Sequence, residues 1–181
     1  RLLALFAGAC ASAGANIVGA HISTTRDGLA VDTFRLQRVN EEHDERRRAD
    51  RIGKTIGRLL AGEVRLDQLM AKRRPPEARV EAFTVEPEVI VDNTRSDAET
   101  VIEVAGRDRT GLLYELTNAL SDMSLDIASA HITTYGEKAV DVFYVTDLTG
   151  RKVTSESRQK AIHARLVEVL APAAAAAPAS A

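Results

Sequence analysis

The chain has 181 residues with a formal net charge of -2, from 24 basic and 26 acidic side chains. A balance so close to neutral provides no strong field to attract nucleic acid, anionic lipid or acidic substrates, and this length accommodates one or two compact domains. The only cysteine, Cys10, excludes an internal disulfide and a multi-cysteine zinc site and is typical of a reducing compartment. We therefore expect a cytoplasmic protein whose partners include no nucleic acid and no membrane.

The chain opens with an apolar run, Leu2–Ala9, followed by small residues, which is also the composition of a secretory or lipoprotein leader. A segment of the same type recurs at 112–130, deep in the chain, where it cannot be a leader. We therefore interpret the first run as a core helix. Because the chain lacks an initial Met and opens in the middle of a pattern, we expect it to be part of a longer protein.

The chain contains an internal repeat, in which residues 2–34 align with residues 112–143. His21-Ile22 falls on His131-Ile132, and Phe34 falls on Phe143. A later helix repeats too, because both copies place apolar residues at i, i+4, i+7 and i+8. These residues are Ile52, Ile56, Leu59 and Leu60 in the first copy and Ile162, Leu166, Val169 and Leu170 in the second.

The second copy predicts the order of the elements. A strand at Thr100–Val104 is followed by a loop at Asp108–Gly111 and a helix at Leu112–Met123. Two strands, Ile127–Thr134 and Ala139–Thr146, are then joined by a hairpin turn. A last helix begins after Thr154 or Ser155, either of which can cap it. In the first copy, one of two β-rich runs, Val80–Val85 or Val89–Val91, is expected to close the module as its fourth strand.

The predicted fold class is α+β, with tandem ferredoxin-like βαββαβ modules, each a four-stranded antiparallel sheet with two helices on one face. We place the first module at 1–93, lacking its first strand and loop, and the second at 99–170. Residues 171–181 form an Ala/Pro tail that we expect to be disordered.

The turn Asp108-Arg109-Thr110-Gly111 is a candidate ligand site because it ends a strand and opens a helix. Free backbone N–H groups and the positive end of the helix can hold a carboxylate there, and glycine permits close approach. The alternative is an ordinary turn in which Asp108 or Thr110 caps the helix.

Asn16-Ile17 and Asp126-Ile127 occupy equivalent places, where a helix gives way to the next strand. An Asn or Asp side chain there can face a neighbouring module and bind an amino or amide group. The alternative is that both residues simply form turns.

The sequence predicts no catalytic residue and no metal site. His21 and His131 are equivalent positions of the two repeats, and neither has a second ligand at metal-binding spacing, so structural or site-lining roles are expected. Cys10 has no nearby His, and no nucleophile, base and orienting group cluster in the sequence.

Two other functions are compatible with the predicted topology. An RNA-binding protein would need exposed aromatic and basic residues on central strands, for which Phe34, Phe143 and Tyr144 are few candidates. A pure docking module without ligand binding is the second alternative.

Three segments resemble a known family. They are TVIEVAGRDRTGLLYELTNAL at Thr100–Leu120, AHITTYGEKAVDVFYVTD at Ala130–Asp147 and EVIVDN at Glu88–Asn93. They resemble the C-terminal tandem ACT domains of the bifunctional PII uridylyltransferase/uridylyl-removing enzymes. This resemblance implies an amino-acid sensor, with glutamine as ligand, that controls nitrogen assimilation through the PII signalling protein. It also implies ACT–ACT pairing within or between chains, no cofactor in this chain, and upstream nucleotidyltransferase and hydrolase domains that use Mg.

The resemblance further implies a shared effector site at the junction of the two modules. On this sequence the site comprises Asp108, Arg109, Thr110, Gly111 and Leu112, opposite Asn16 and Ile17. The family loop commonly has Pro where Thr110 stands. The reciprocal site would need Asp126 and the missing loop of the first copy, so at most one complete site is expected.

Overall fold

The computed structural model describes residues 2–25, 27–38, 42–72 and 85–171. The first repeat forms α1 (Leu2–Ser12), β1 (Ile17–Thr24), β2 (Ala30–Leu36), α2 (Glu42–Leu60) and α3 (Leu66–Ala71). The second part forms β3 (Glu88–Asp92), β4 (Thr100–Arg107), α4 (Leu112–Asp122), β5 (Leu125–Tyr135), β6 (Lys138–Asp147) and α5 (Glu156–Leu170). The predicted α+β class and the order of elements in the second copy are confirmed.

The strands form one antiparallel sheet in the order β2-β1-β5-β6-β4-β3. Alternate residues along β6 are buried, including Ala139, Phe143 and Val145, and they pack against the helices. This alternation is expected when one face of a sheet is covered and the other is left open. The two repeats meet through β1 and β5, and we call this junction the seam.

The seam follows a local two-fold axis that relates the two repeats. Ala20 pairs with Ile132, His21 with His131 and Ile22 with Ala130. The pair Ala20–Ile132 is the symmetry equivalent of the pair Ile22–Ala130, because position 20 of the first repeat corresponds to 130 of the second and position 22 to 132. The axis therefore passes between His21 and His131.

The apolar opening run is a core helix, as the repeat indicated. Most residues of α1 are buried, and the helix packs against α4, α2 and α3. A helix surrounded by other elements is expected to be apolar on all sides, which explains its likeness to a leader. Among the described helices, none is both long and apolar enough to span a membrane.

Of the two runs considered for the fourth strand of the first module, Val89–Val91 does not take that place. These residues lie in β3, which forms a hairpin with β4, so that Val89 pairs with Val104 and Val91 with Ile102. The strand thus closes the sheet of the second module rather than that of the first, and it fills the place of the fourth strand that the second copy lacks. A short connection favours pairing between neighbours in sequence. The other candidate run, Val80–Val85, lies outside the described residues except for Val85, and so does the tail after Ala171.

Candidate ligand site between the modules

A small cavity lies where the first repeat meets the start of α4. Its walls come from both repeats: Ala7, Ala15, Asn16 and Ile17 from the first, and Asp108, Arg109, Gly111, Leu112, Leu113, Tyr114, Ile132, Thr134, Ala139 and Asp141 from the second. Its volume of about 10 Å³ is enough for roughly one water molecule. The fold therefore brings together the two predicted halves of the site in a closed arrangement.

Asn16 and Asp108 join the two halves directly. The Asn16 side-chain amide donates a hydrogen bond of 2.7 Å from Nδ2 to Asp108 Oδ2. Burial raises the pKa of the Asp108 carboxyl, while the bond from Asn16, the backbone N–H of Arg109 and the Arg109 charge act in the opposite direction. An amide donor from one module is thus bound to a carboxylate from the other, across 92 positions of sequence.

The N-terminus of α4 opens at the cavity. Gly111 precedes the helix with φ of 93°, a left-handed conformation that favours glycine, and as the N-cap residue it has no side chain to cap the helix. The N-cap position is therefore occupied by Gly111 rather than by Asp108 or Thr110. The first turn of a helix has backbone N–H groups without partners inside the helix and a positive dipole end, and both suit a carboxylate.

Arg109 is already engaged by groups of its own module. Its guanidinium donates to the carboxylate of Glu115 and, at 2.8 Å, to the backbone carbonyl of Val169. These bonds tie the loop before α4 to the first turn of that helix and to the end of α5. Arg109 therefore holds the loop in shape.

Asp141 and Thr134 are polar cavity residues that the sequence analysis missed. Asp141 is 2% exposed, and both Asp141 Oδ1 and Thr134 Oγ1 are buried without a hydrogen-bond partner in the described structure. The Asp141 pKa is raised to about 7, mainly by burial and also by the Asp108 charge, while a backbone hydrogen bond from Thr133 acts in the opposite direction. Buried polar atoms are normally paired, so these two oxygens mark a place where a donor is missing.

The repeat contained a signal for Asp141. The triplet Ala-Val-Asp occurs at both 30–32 and 139–141, and each Asp lies on an otherwise apolar face of its strand. Asp32 also has a buried oxygen, Oδ1, with no partner, and burial raises its pKa. An Asp at the core-facing position of a strand in both copies indicates a site residue rather than a solvated one.

Two predicted residues lie outside the cavity lining. Thr110 sits in the loop but is not part of the wall, and Asp126 is exposed at the start of β5, where it pairs in register with Thr146. Asp126 is the repeat equivalent of Asn16. Of these two residues, only Asn16 meets a loop of the other module within the described part of the chain.

Two of the three aromatic candidates for RNA binding, Phe34 and Phe143, pack against other residues of the fold. Phe143 is fully buried, and Phe34 packs edge-to-face on Phe6 with ring centroids 6.3 Å apart. Of the three candidates only Tyr144 remains, and its ring meets that of His131 edge-to-face with centroids 6.2 Å apart.

The comparisons with known proteins agree with this architecture. Residues 95–170 match the model of the ACR family N-terminal ACT domain. The two modules and their shared sheet agree with this class, and over residues 95–170 the chain is similar to an ACT domain. The particular protein that it resembles is the bifunctional uridylyltransferase/uridylyl-removing enzyme of Rhodopseudomonas palustris, which is 55% identical over 173 residues. These residues are 94% of the chain and 19% of that enzyme, so the chain spans about a fifth of its relative. No solved structure matches the chain.

Proposed function

We propose that the chain is an amino-acid-sensing region, with glutamine as ligand, and that the cavity between Asn16 and Asp108 is its effector site. The observation that carries this proposal is the pair of buried oxygens without partners, on Asp141 and Thr134, beside the Asn16–Asp108 bond. A ligand with several N–H donors would satisfy all of these acceptors at once.

The two ends of the cavity suit the two ends of an amino acid. The carboxylates of Asp108 and Asp141 and the hydroxyl of Thr134 would accept hydrogen bonds from the ligand's ammonium and carboxamide groups. The N-terminus of α4 would hold its carboxylate. Binding an ammonium group beside Asp141 would favour the ionised form of that carboxyl, because opposite charges stabilise each other.

Ligand entry requires the seam to open, because the closed cavity holds about 10 Å³. The Asn16 amide occupies the acceptor Asp108 in the closed form, and the ligand's own donors would replace it. Such an exchange couples occupancy of the site to the relative position of the two modules. An element with two alternative positions of this kind can transmit a regulatory signal.

By its resemblance to the bifunctional enzymes, we place this sensor in a larger protein that attaches and removes uridylyl groups. There the PII signalling protein would be the substrate, glutamine occupancy would set the balance of the two reactions, and Mg would serve the catalytic domains. These assignments concern the larger protein, and the site described here is the part that this chain contributes.

The experiment is a thermal-unfolding titration with glutamine, using glutamate, asparagine and alanine as controls. A ligand that binds the native state raises Tm by mass action, so glutamine should raise it in a saturable way. Asn16→Ala and Asp108→Ala should abolish the shift, whereas Asp126→Ala, at the repeat equivalent of Asn16, should retain it. No shift with any amino acid would favour the docking-module alternative and reject the proposed sensor.

A further inference from the structure

Two histidines face each other on the open side of the sheet, at the centre of the seam. His21 on β1 pairs in register with His131 on β5, and a hydrogen bond of 3.1 Å joins their Nδ1 atoms. Both side chains are exposed, and their ring centroids are 4.7 Å apart. Each module contributes one imidazole, on the axis that relates the repeats.

We propose that His21 and His131 form a binding site for a borderline divalent transition-metal ion, such as Zn²⁺, Ni²⁺ or Cu²⁺, that links the two modules. Along a single repeat, neither histidine has a second ligand at metal-binding spacing. The second ligand is the equivalent histidine of the other repeat, 110 positions away, which the fold brings within bonding range of the same ion.

The spacing of the two nitrogens suits one shared ion. With metal–nitrogen bonds of about 2.0–2.1 Å, a separation of 3.1 Å between the Nδ1 atoms gives an angle of about 100° at the metal. This value lies between the roughly 90° of square-planar and the roughly 109° of tetrahedral geometry. The ion would lie off the line that joins the two nitrogens, so each exposed ring must turn modestly to aim its lone pair.

The ligand set determines the class of ion. Neutral imidazoles suit Zn²⁺, Cu²⁺ and Ni²⁺, whereas Mg²⁺ and Ca²⁺ prefer oxygen ligands. Within the described residues, no group of three or more His, Cys, Asp or Glu side chains could hold a metal. The protein therefore supplies two ligands, and water completes the coordination sphere.

Such an ion would act on the seam next to the ligand cavity. His131 lies beside Ile132 on β5, and Ile132 faces the cavity from the opposite side of the sheet. An ion bound to both imidazoles would hold β1 against β5 and so oppose separation of the modules. This inference does not depend on glutamine as the ligand, because it rests only on the histidine pair.

The test is calorimetric titration of the metal-free protein with ZnCl₂ and NiCl₂, alongside thermal unfolding with the same ions. We expect one ion per chain and a rise in Tm that Mg²⁺ and Ca²⁺ do not produce. His21→Gln and His131→Ala should each weaken binding by more than the roughly 10–100-fold that loss of an outer-shell partner costs.

His163→Ala provides the matched control, because His163 is an exposed histidine on α5 without a partner histidine in the described structure. It should leave both the stoichiometry and the Tm rise unchanged. Because His21 and His131 are exposed, their variants should unfold near the wild-type temperature without metal. Equal binding by all three variants, or no binding by wild type, would overturn the proposal.

Discussion

At the scale of single residues, Asp141 links the stability of the fold to the candidate site. A carboxyl that is 2% exposed on a sheet face otherwise occupied by Ala139, Phe143 and Val145 is costly to ionise. Its pKa of about 7 is well above the ordinary value of 3.8. Proteins commonly retain a buried ionisable group that lowers the stability of the fold where ligand binding requires a preformed polar site.

The pH dependence of unfolding should reveal this group. Between about pH 4 and about pH 7 the unfolded chain releases the Asp141 proton while the folded chain retains it, so the free energy of unfolding should fall as pH rises. Asp141→Asn keeps an acceptor for the Thr133 N–H and removes the titration. The variant should be more stable than wild type by roughly 2–4 kcal/mol at pH 8 and nearly equal to it at pH 4. Parallel pH curves in urea unfolding would contradict this account.

Gly111 is the second residue whose substitution should lower the free energy of unfolding. Its φ of 93° places a Cβ in a strained position, so Gly111→Ala should lower the free energy of unfolding by about 1–2 kcal/mol. Gly57→Ala, in the exposed part of α2 with open space around the added Cβ, should instead be neutral or slightly stabilising. Chemical denaturation measures both, and a loss of stability in Gly57→Ala as large as that in Gly111→Ala would refute the strain argument.

At the scale of elements, the hairpin of β3 and β4 completes the second module. Val89 is 7% exposed opposite Val104, so Val89→Asp would bury an unpaired carboxylate and should cost roughly 3 kcal/mol or more. Glu88→Ala, one position earlier and exposed, should change the free energy of unfolding by less than about 0.5 kcal/mol. If Val89→Asp is as stable as Glu88→Ala, β3 does not pack on this module.

The elements themselves were largely predictable from sequence because hydrophobic periodicity is a local signal. The strand that pairs with β3 could not be predicted in this way, since pairing depends on the length of the connecting segments and on which edge of the sheet is free. Periodicity also predicted that Leu60 faces inward, whereas it is 59% exposed at the end of α2. The halves of the candidate site were anticipated by resemblance, but Asp141 was missed because alternation marks its position as core.

At the scale of the whole molecule, one hydrophobic core extends across both modules. It includes Leu3 and Ile22 from the first and Leu116, Ala130 and Phe143 from the second. A shared core of this kind favours a single cooperative unfolding transition.

The tyrosines provide a test of this cooperativity, because Tyr114, Tyr135 and Tyr144 all lie in the second module and the chain has no Trp. Ile22→Asp, at a buried seam position of the first module opposite Ala130, should lower the urea midpoint seen by tyrosine fluorescence. Val31→Asp, at an exposed position on β2, should shift it little. An unchanged midpoint in Ile22→Asp would mean that the modules unfold independently.

The most direct test of the composite site is an NMR titration of the amide resonances with glutamine. The account predicts perturbations concentrated at 15–17, 108–114 and 139–141, with little change around Asp126, and their loss in Asn16→Ala. Perturbations confined to one module, or centred on the end of β5 near Asp126, would contradict a site shared between the two modules.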